Sequence, residues 1–150
     1  MWSALFSFTN LLAMVAWIVL AFLPRTPLAR AAVLYLGVAL LCLTYAVCFA
    51  LYATGAVDPG VQPGAGPAGF GSIEGVRGLF MRDAGVVIGW THYLAFDLFT
   101  GLWISRDADA KGFSRLVQLP FLFFTFLLGP IGLLAWLIVR ERRARETGRG

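Results

Sequence analysis

The sequence predicts an all-α integral membrane protein: a four-helix transmembrane bundle with a short interfacial helix before the third span. Three observations predict it. The 150-residue chain is 59% hydrophobic and 13% charged, against about 45–50% and about 25% in soluble domains. Its mean hydropathy is +0.80. Four apolar runs, each near the roughly 20 residues that a bilayer crossing needs, are divided by segments rich in Pro, Gly and Arg. A chain of this length makes one membrane domain, residues 1–150.

The first span covers residues 3–23. No basic n-region precedes it and it is too long for a signal-peptide core, so it is expected to be a true span. Pro24-Arg25-Thr26-Pro27 stops it, because two prolines around a charge cannot continue a helix in lipid. The second span, residues 31–53, carries no charge. Residues 54–71 are a Pro/Gly loop, expected to be irregular or mobile. From Ser72 to Arg82 the pattern changes. Ile73, Val76, Leu79 and Phe80 share one helical face, which suits a short helix in the headgroup region, weakened by Gly75 and Gly78. The third span is residues 84–104, followed by a charged connection over 105–115. The fourth is residues 117–139, with Pro120 as an entry proline and a kink at Gly129-Pro130-Ile131-Gly132. A basic tail, 140–150, closes the chain.

Four spans place both termini and the long loop on one side. That side then holds seven Lys and Arg against five, which favours cytoplasmic termini. Arginine outnumbers lysine heavily and Ala, Gly and Leu are abundant, a composition typical of a bacterial protein; a bacterial cytoplasmic membrane is the expected location. The net charge of +4 does not point to nucleic acid, and membrane lipids are the expected partners. Cys42 and Cys48 share one apolar run on different helix faces and are expected to be small buried hydrophobes. No Cys/His cluster indicates a metal.

The third span holds the only histidine and an aspartate. An aspartate at bilayer depth costs roughly 2.5–3.5 kcal/mol on insertion scales, so it is a candidate functional residue. At 100° per residue Trp90, Tyr93, Asp97 and Gly101 fall on one face, while His92 lies about 140° from Asp97. Tyr93 and Asp97, at i and i+4, can share a hydrogen bond.

The run Gly89-Trp90-x-His92-Tyr93-Leu94-Ala95-Phe96-Asp97-Leu98-Phe99-x-Gly101-x-Trp103-Ile104, followed by Arg106-Asp107, resembles the abscisic-acid-deficient-four-like family. So does the later set Pro120, Leu122, Thr125-Phe126, Gly129-Pro130 and Gly132-Leu133-Leu134. The resemblance covers most of the chain and implies a small multi-span protein. It also implies carotenoid-related membrane chemistry, since plant members are associated with neoxanthin formation. The Pro/Gly loop lies outside the resemblance.

Conversion of an epoxy-carotenoid to an allenic one is an isomerisation, with no net electron flow and no obligatory cofactor. It needs an acid on the epoxide oxygen and a base on a C–H. A carboxylic acid in an apolar site can stay protonated, and a neutral imidazole can accept a proton. Asp97, His92 and Tyr93 are the candidate catalytic residues. Trp90, Phe96, Phe99, Trp103, Asn10, Thr44 and Tyr45 are candidates to bind a polyene, and Arg106, Asp107 and Arg115 to meet lipid headgroups. The alternative is a non-catalytic carotenoid- or lipid-binding or accessory membrane protein, in which His92 and Asp97 bond to neighbouring helices. One histidine supplies one haem ligand with no supporting motif.

Overall fold

The computed structural model describes residues 1–147, with side chains through residue 141. Among these the fold is all-helical, and the only β pairing is one isolated bridge between Val61 and Arg82. There are six helices: α1 (Trp2–Phe22), α2 (Pro27–Ala53), α3 (Ile73–Phe80), α4 (Asp83–Ala110), α5 (Arg115–Leu128) and α6 (Pro130–Thr147). By length and composition α1 and α2 can cross a membrane. The expected basic tail begins as the last turns of α6; its side chains after residue 141 and its last three residues lie outside the described residues.

Helix α2 starts four residues earlier than the apolar run. Thr26 caps it, its hydroxyl accepting from the Ala29 amide at 3.1 Å, and Pro27 fills the first turn where no N–H is needed. A π-helical turn, Val33–Ala39, widens α2 where Gly37 meets α1 and α4; a Cβ there would lie 3.0 Å from Ala16 and from Leu98.

Helix α4 is the central element, about 42 Å long at 1.5 Å per residue. It buries Leu94, Leu98, Leu102 and Ile104 against Trp17 and Leu20 of α1, Val33 and Leu41 of α2, and Leu122 and Trp136 of the last two helices. Gly101 lets the Trp17 ring lie directly on its backbone. The expected charged connection at 105–110 is corrected to helix. Asp107 and Asp109 sit on the last turns of α4 because Arg140 and Arg25 meet them there.

The expected fourth span is also corrected. Residues 115–147 do not form one kinked crossing but two antiparallel helices. Gly129 adopts φ 26° and reverses the chain, a conformation that suits glycine. Thr125 then lies against Gly132, and the rings of Phe121 and Trp136 meet edge-on at 5.3 Å. Arg140 ends beside Asp107, near the start of α5. Pro120 accordingly sits inside α5 rather than at a membrane entry. The hairpin tip reaches only the middle of α4, where Gly129 packs on Asp97. The two described chain ends therefore lie at opposite ends of the bundle. The Trp2 indole donates to the Asp58 carbonyl in the long loop, whereas Arg140 joins the end holding Arg25, Asp109 and Arg115.

The Pro/Gly loop is irregular but tied down. Gln62 and Asp83 donate backbone N–H groups to Met81 and Gly60, and Arg82 reaches the Gly66 carbonyl. Short helix α3 forms as the pattern predicted, with the Ser72 hydroxyl accepting from the Gly75 amide at 3.0 Å. Gly75 and Gly78, costly to helix propensity, admit the loop backbone: a Cβ on Gly78 would strike the Pro67 carbonyl. Of the two cysteines, Cys48 is buried and Cys42 is exposed, which corrects the expectation for Cys42.

Candidate functional site

Helices α2, α3 and α4 enclose an apolar groove of about 260 Å³. Tyr45, Phe49 and Tyr52 line it from α2, Val76, Leu79 and Phe80 from α3, and Ile88 and His92 from α4. The amphipathic spacing of α3 turns Val76, Leu79 and Phe80 inward. Gly85 and Gly89 keep the α4 wall low, and a Cβ on Gly89 would meet the Phe80 ring. His92 is the groove's one imidazole, its ring 5.7 Å from Tyr45 and 4.6 Å from Phe96.

Asp97 lies elsewhere. It is 9% exposed and faces the hairpin, its carboxylate against Gly129 at the N-terminus of α6. The first N–H groups of a helix lack intrahelical partners and carry partial positive charge, so a carboxylate is favoured at this position. One of its oxygens, Oδ2, is buried without a hydrogen-bond partner. The Tyr93 phenol stands within interaction range of the Asp97 carboxyl, as the i, i+4 spacing anticipated, and donates to the Leu127 carbonyl, 3.2 Å away, in the last turn of α5. Both side chains hold the hairpin tip. The structure does not bring His92 together with Asp97, as the helical angle anticipated.

The remaining predicted residues divide by location. Tyr45 lines the groove, and Phe96 stands exposed beside His92. Trp90 stacks between Phe6 and Tyr93, with centroids at 6.0 and 5.2 Å, and its indole donates to the Asn10 amide oxygen at 3.1 Å. This cluster belongs to the α1–α4 contact. Thr44 bonds its own helix at the Leu40 carbonyl. Phe99 is exposed, and Trp103 lies under the Arg140 guanidinium, 5.5 Å away.

At the far end Arg106 is exposed. Asp107 does not pair with it; the carboxylate takes two hydrogen bonds from Arg140, at 2.8 and 2.9 Å, and one from the Trp136 indole. Arg115 donates to the Ala21 and Leu23 carbonyls, satisfying the end of α1. Sequence reasoning missed Gln118, fully buried and donating to Asp109 at 2.9 Å. It missed the α3 wall of the groove as well, although the amphipathic pattern of α3 carried that signal.

Fold and groove define a class: an all-helical protein with two helices fit to cross a membrane and an aromatic-lined groove under a short amphipathic helix. The family model ABA DEFICIENT 4-like matches residues 4–136, and the chain belongs to that family. Membership points to a role related to carotenoids and neoxanthin. No curated protein and no solved structure matches the chain.

Proposed function

We propose that the chain is an integral membrane protein that binds a carotenoid-like polyene or related isoprenoid lipid in the α2–α3–α4 groove. The observation that carries this is the groove itself: apolar, walled by aromatic rings, with His92, Tyr45 and Tyr52 as its polar groups. About 260 Å³ takes one end group of a long polyene, not the whole molecule. Phe96 and Phe99, exposed on α4, extend an aromatic track from His92 for the rest. Family membership supports the ligand class.

The membrane reading takes α1, α2 and α4 as three crossings, with α5 and α6 as a hairpin that enters and returns. Large apolar side chains face outward on each, including Leu11, Leu36, Phe96, Phe123 and Ile131. Helix α5 has 14 residues, about 21 Å at the helical rise, too short to cross. At its tip Gly129 is buried and the Leu127 carbonyl is bonded by Tyr93, as irregular backbone at bilayer depth requires.

A catalytic form of the same reading is favoured by the closeness of His92 and Tyr45. In an epoxide isomerisation the phenol protonates the epoxide oxygen, the imidazole removes the C–H proton, and proton transfer between them restores both. No electrons or cofactor enter. Asp97 faces the hairpin and takes no part in this form.

Expression in a carotenoid-producing host tests the reading. The purified protein is expected to carry pigment, and Val76→Trp, which fills the groove, to lose it. If the groove is catalytic, the host's pigment profile changes and His92→Gln abolishes the change by about 10²–10⁴-fold while pigment still binds. A colourless preparation with an unaltered profile overturns both forms.

A further inference from the structure

Two arginines converge on one carboxylate at the end of the bundle away from the groove, with a third close by. Arg25, between α1 and α2, and Arg30, in the first turns of α2, each donate to Asp109 on α4. Arg115 stands near enough to oppose the charge of Arg25. One aspartate does not balance three guanidinium groups.

The pairing also leaves donors over. Arg25 uses Nη1 on Asp109, while its Nε and Nη2 are buried with no partner; Arg30 uses Nη2, and its Nε is likewise unpaired. Nε and Nη2 form one edge of the guanidinium plane, a fork whose two N–H groups can converge on a single oxyanion oxygen. Burial lowers the proton affinity of Arg25 more than Asp109 raises it. Ser105 adds a third kind of donor: the residue is fully buried and its hydroxyl has no partner. Arg25, Arg30 and Ser105 are the polar groups lining one cavity of about 10 Å³, whose other walls are apolar side chains such as Val19, Leu20 and Val33. That is room for one water-sized group, such as a single phosphate oxygen.

We propose that Arg25, Arg30 and Ser105 form a phosphate-binding site, with one phosphate oxygen entering the cavity and the rest of the group at its mouth. A phosphate can come from a phospholipid headgroup or from solution. The lipid source rests on the membrane reading, which puts this basic end at headgroup level; the site itself rests only on its donors.

The test uses the full chain purified in detergent, read by native mass spectrometry and thermal unfolding. The probes are dioleoyl phosphatidylglycerol, dioleoylglycerol (the same chains without phosphate) and inorganic phosphate. The phospholipid is expected to bind saturably and raise the melting temperature, and dioleoylglycerol to do neither. An equal effect from inorganic phosphate alone assigns the site to free phosphate. Arg25→Lys keeps the charge facing Asp109 but lacks the fork, and Ser105→Ala removes the hydroxyl. Each is expected to weaken binding about tenfold or more, while Arg77→Gln at the other end leaves it unchanged. The proposal is overturned if neither phosphate probe acts saturably, or if Arg25→Lys and Ser105→Ala both bind like the parent.

Discussion

Asp97 is costly to bury, and the sequence alone marks it as needing a partner or a role. Its position against Gly129 supplies a structural one, a carboxylate at the start of α6 where the chain turns back. The two residues are expected to be coupled. Gly129→Ala adds a Cβ at a positive φ and drives it into the carboxylate, costing about 1–3 kcal/mol. In an Asp97→Ala background the steric part of that cost disappears, so the double mutant is less unstable than the sum of the singles. Thermal unfolding of the four proteins measures the cycle; strict additivity would contradict the contact. Asp97→Asn keeps the size and an acceptor, and pigment binding is expected to survive it because the groove lies on another face of α4. His92 was legible as a polar residue apart from Asp97, since 100° per residue separates them. Tyr45 was legible as a candidate ligand-binding residue of span two but not as the neighbour of His92, because no spacing within one helix shows which residue crosses to meet it.

At the scale of elements, the hairpin is held at both ends, by Asp97 and Tyr93 at the tip and by Asp107 at the base. Hydrogen bonds from Arg140, with smaller ones from Lys111 and the Trp136 indole, hold the Asp107 carboxyl below the usual carboxylate range despite burial. A carboxyl with a lowered folded-state value stabilises above its unfolded value of about 3.9, and that stability is lost as pH falls through the folded value. Thermal stability in detergent is therefore expected to drop as pH is taken below about 4. Asp107→Asn should cost about 1.5–3 kcal/mol at pH 7 and flatten this acid limb; an acid limb as steep as the parent's would exclude Asp107 as its source. The helical hairpin itself was not legible. Residues 117–139 have the length and hydropathy of a span, and Gly129-Pro130 is equally compatible with a kink. What decides is the partner of Arg140, and a charge 33 residues from Asp107 gives no local sign of it. The short helix α3 was legible, because Ser72 and four apolar residues on one face act within the segment itself.

For the whole molecule, the proposed membrane arrangement, with a hairpin in place of a fourth crossing, would put the C-terminal end of the fold on the other side, which reverses the charge argument. Arg25, Arg30, Arg106, Lys111, Arg115 and Arg140 now share one end, and among the described side chains only Arg77 and Arg82 lie at the other. Over these same eight residues, four spans would place three against five; on this fold they are six to two, a clear bias under the positive-inside rule. The basic end is therefore expected in the cytoplasm, with the Trp2 end, the Pro/Gly loop and the groove on the opposite face. Single cysteines in a background with Cys42 and Cys48 replaced by alanine provide the check. Ser72→Cys, exposed before α3, and Ser114→Cys, exposed before α5, sit at opposite ends. In intact cells an impermeant maleimide is expected to label the cysteine at residue 72 and not the one at 114, and permeabilisation to expose both. The same reagent distinguishes the two folds at the C-terminus. A cysteine appended after Gly150 labels only after permeabilisation if residues 115–147 enter and return, but labels in intact cells alongside residue 72 if they cross. The second pattern would restore the fourth span and separate the Asp107–Arg140 pair by the thickness of a membrane.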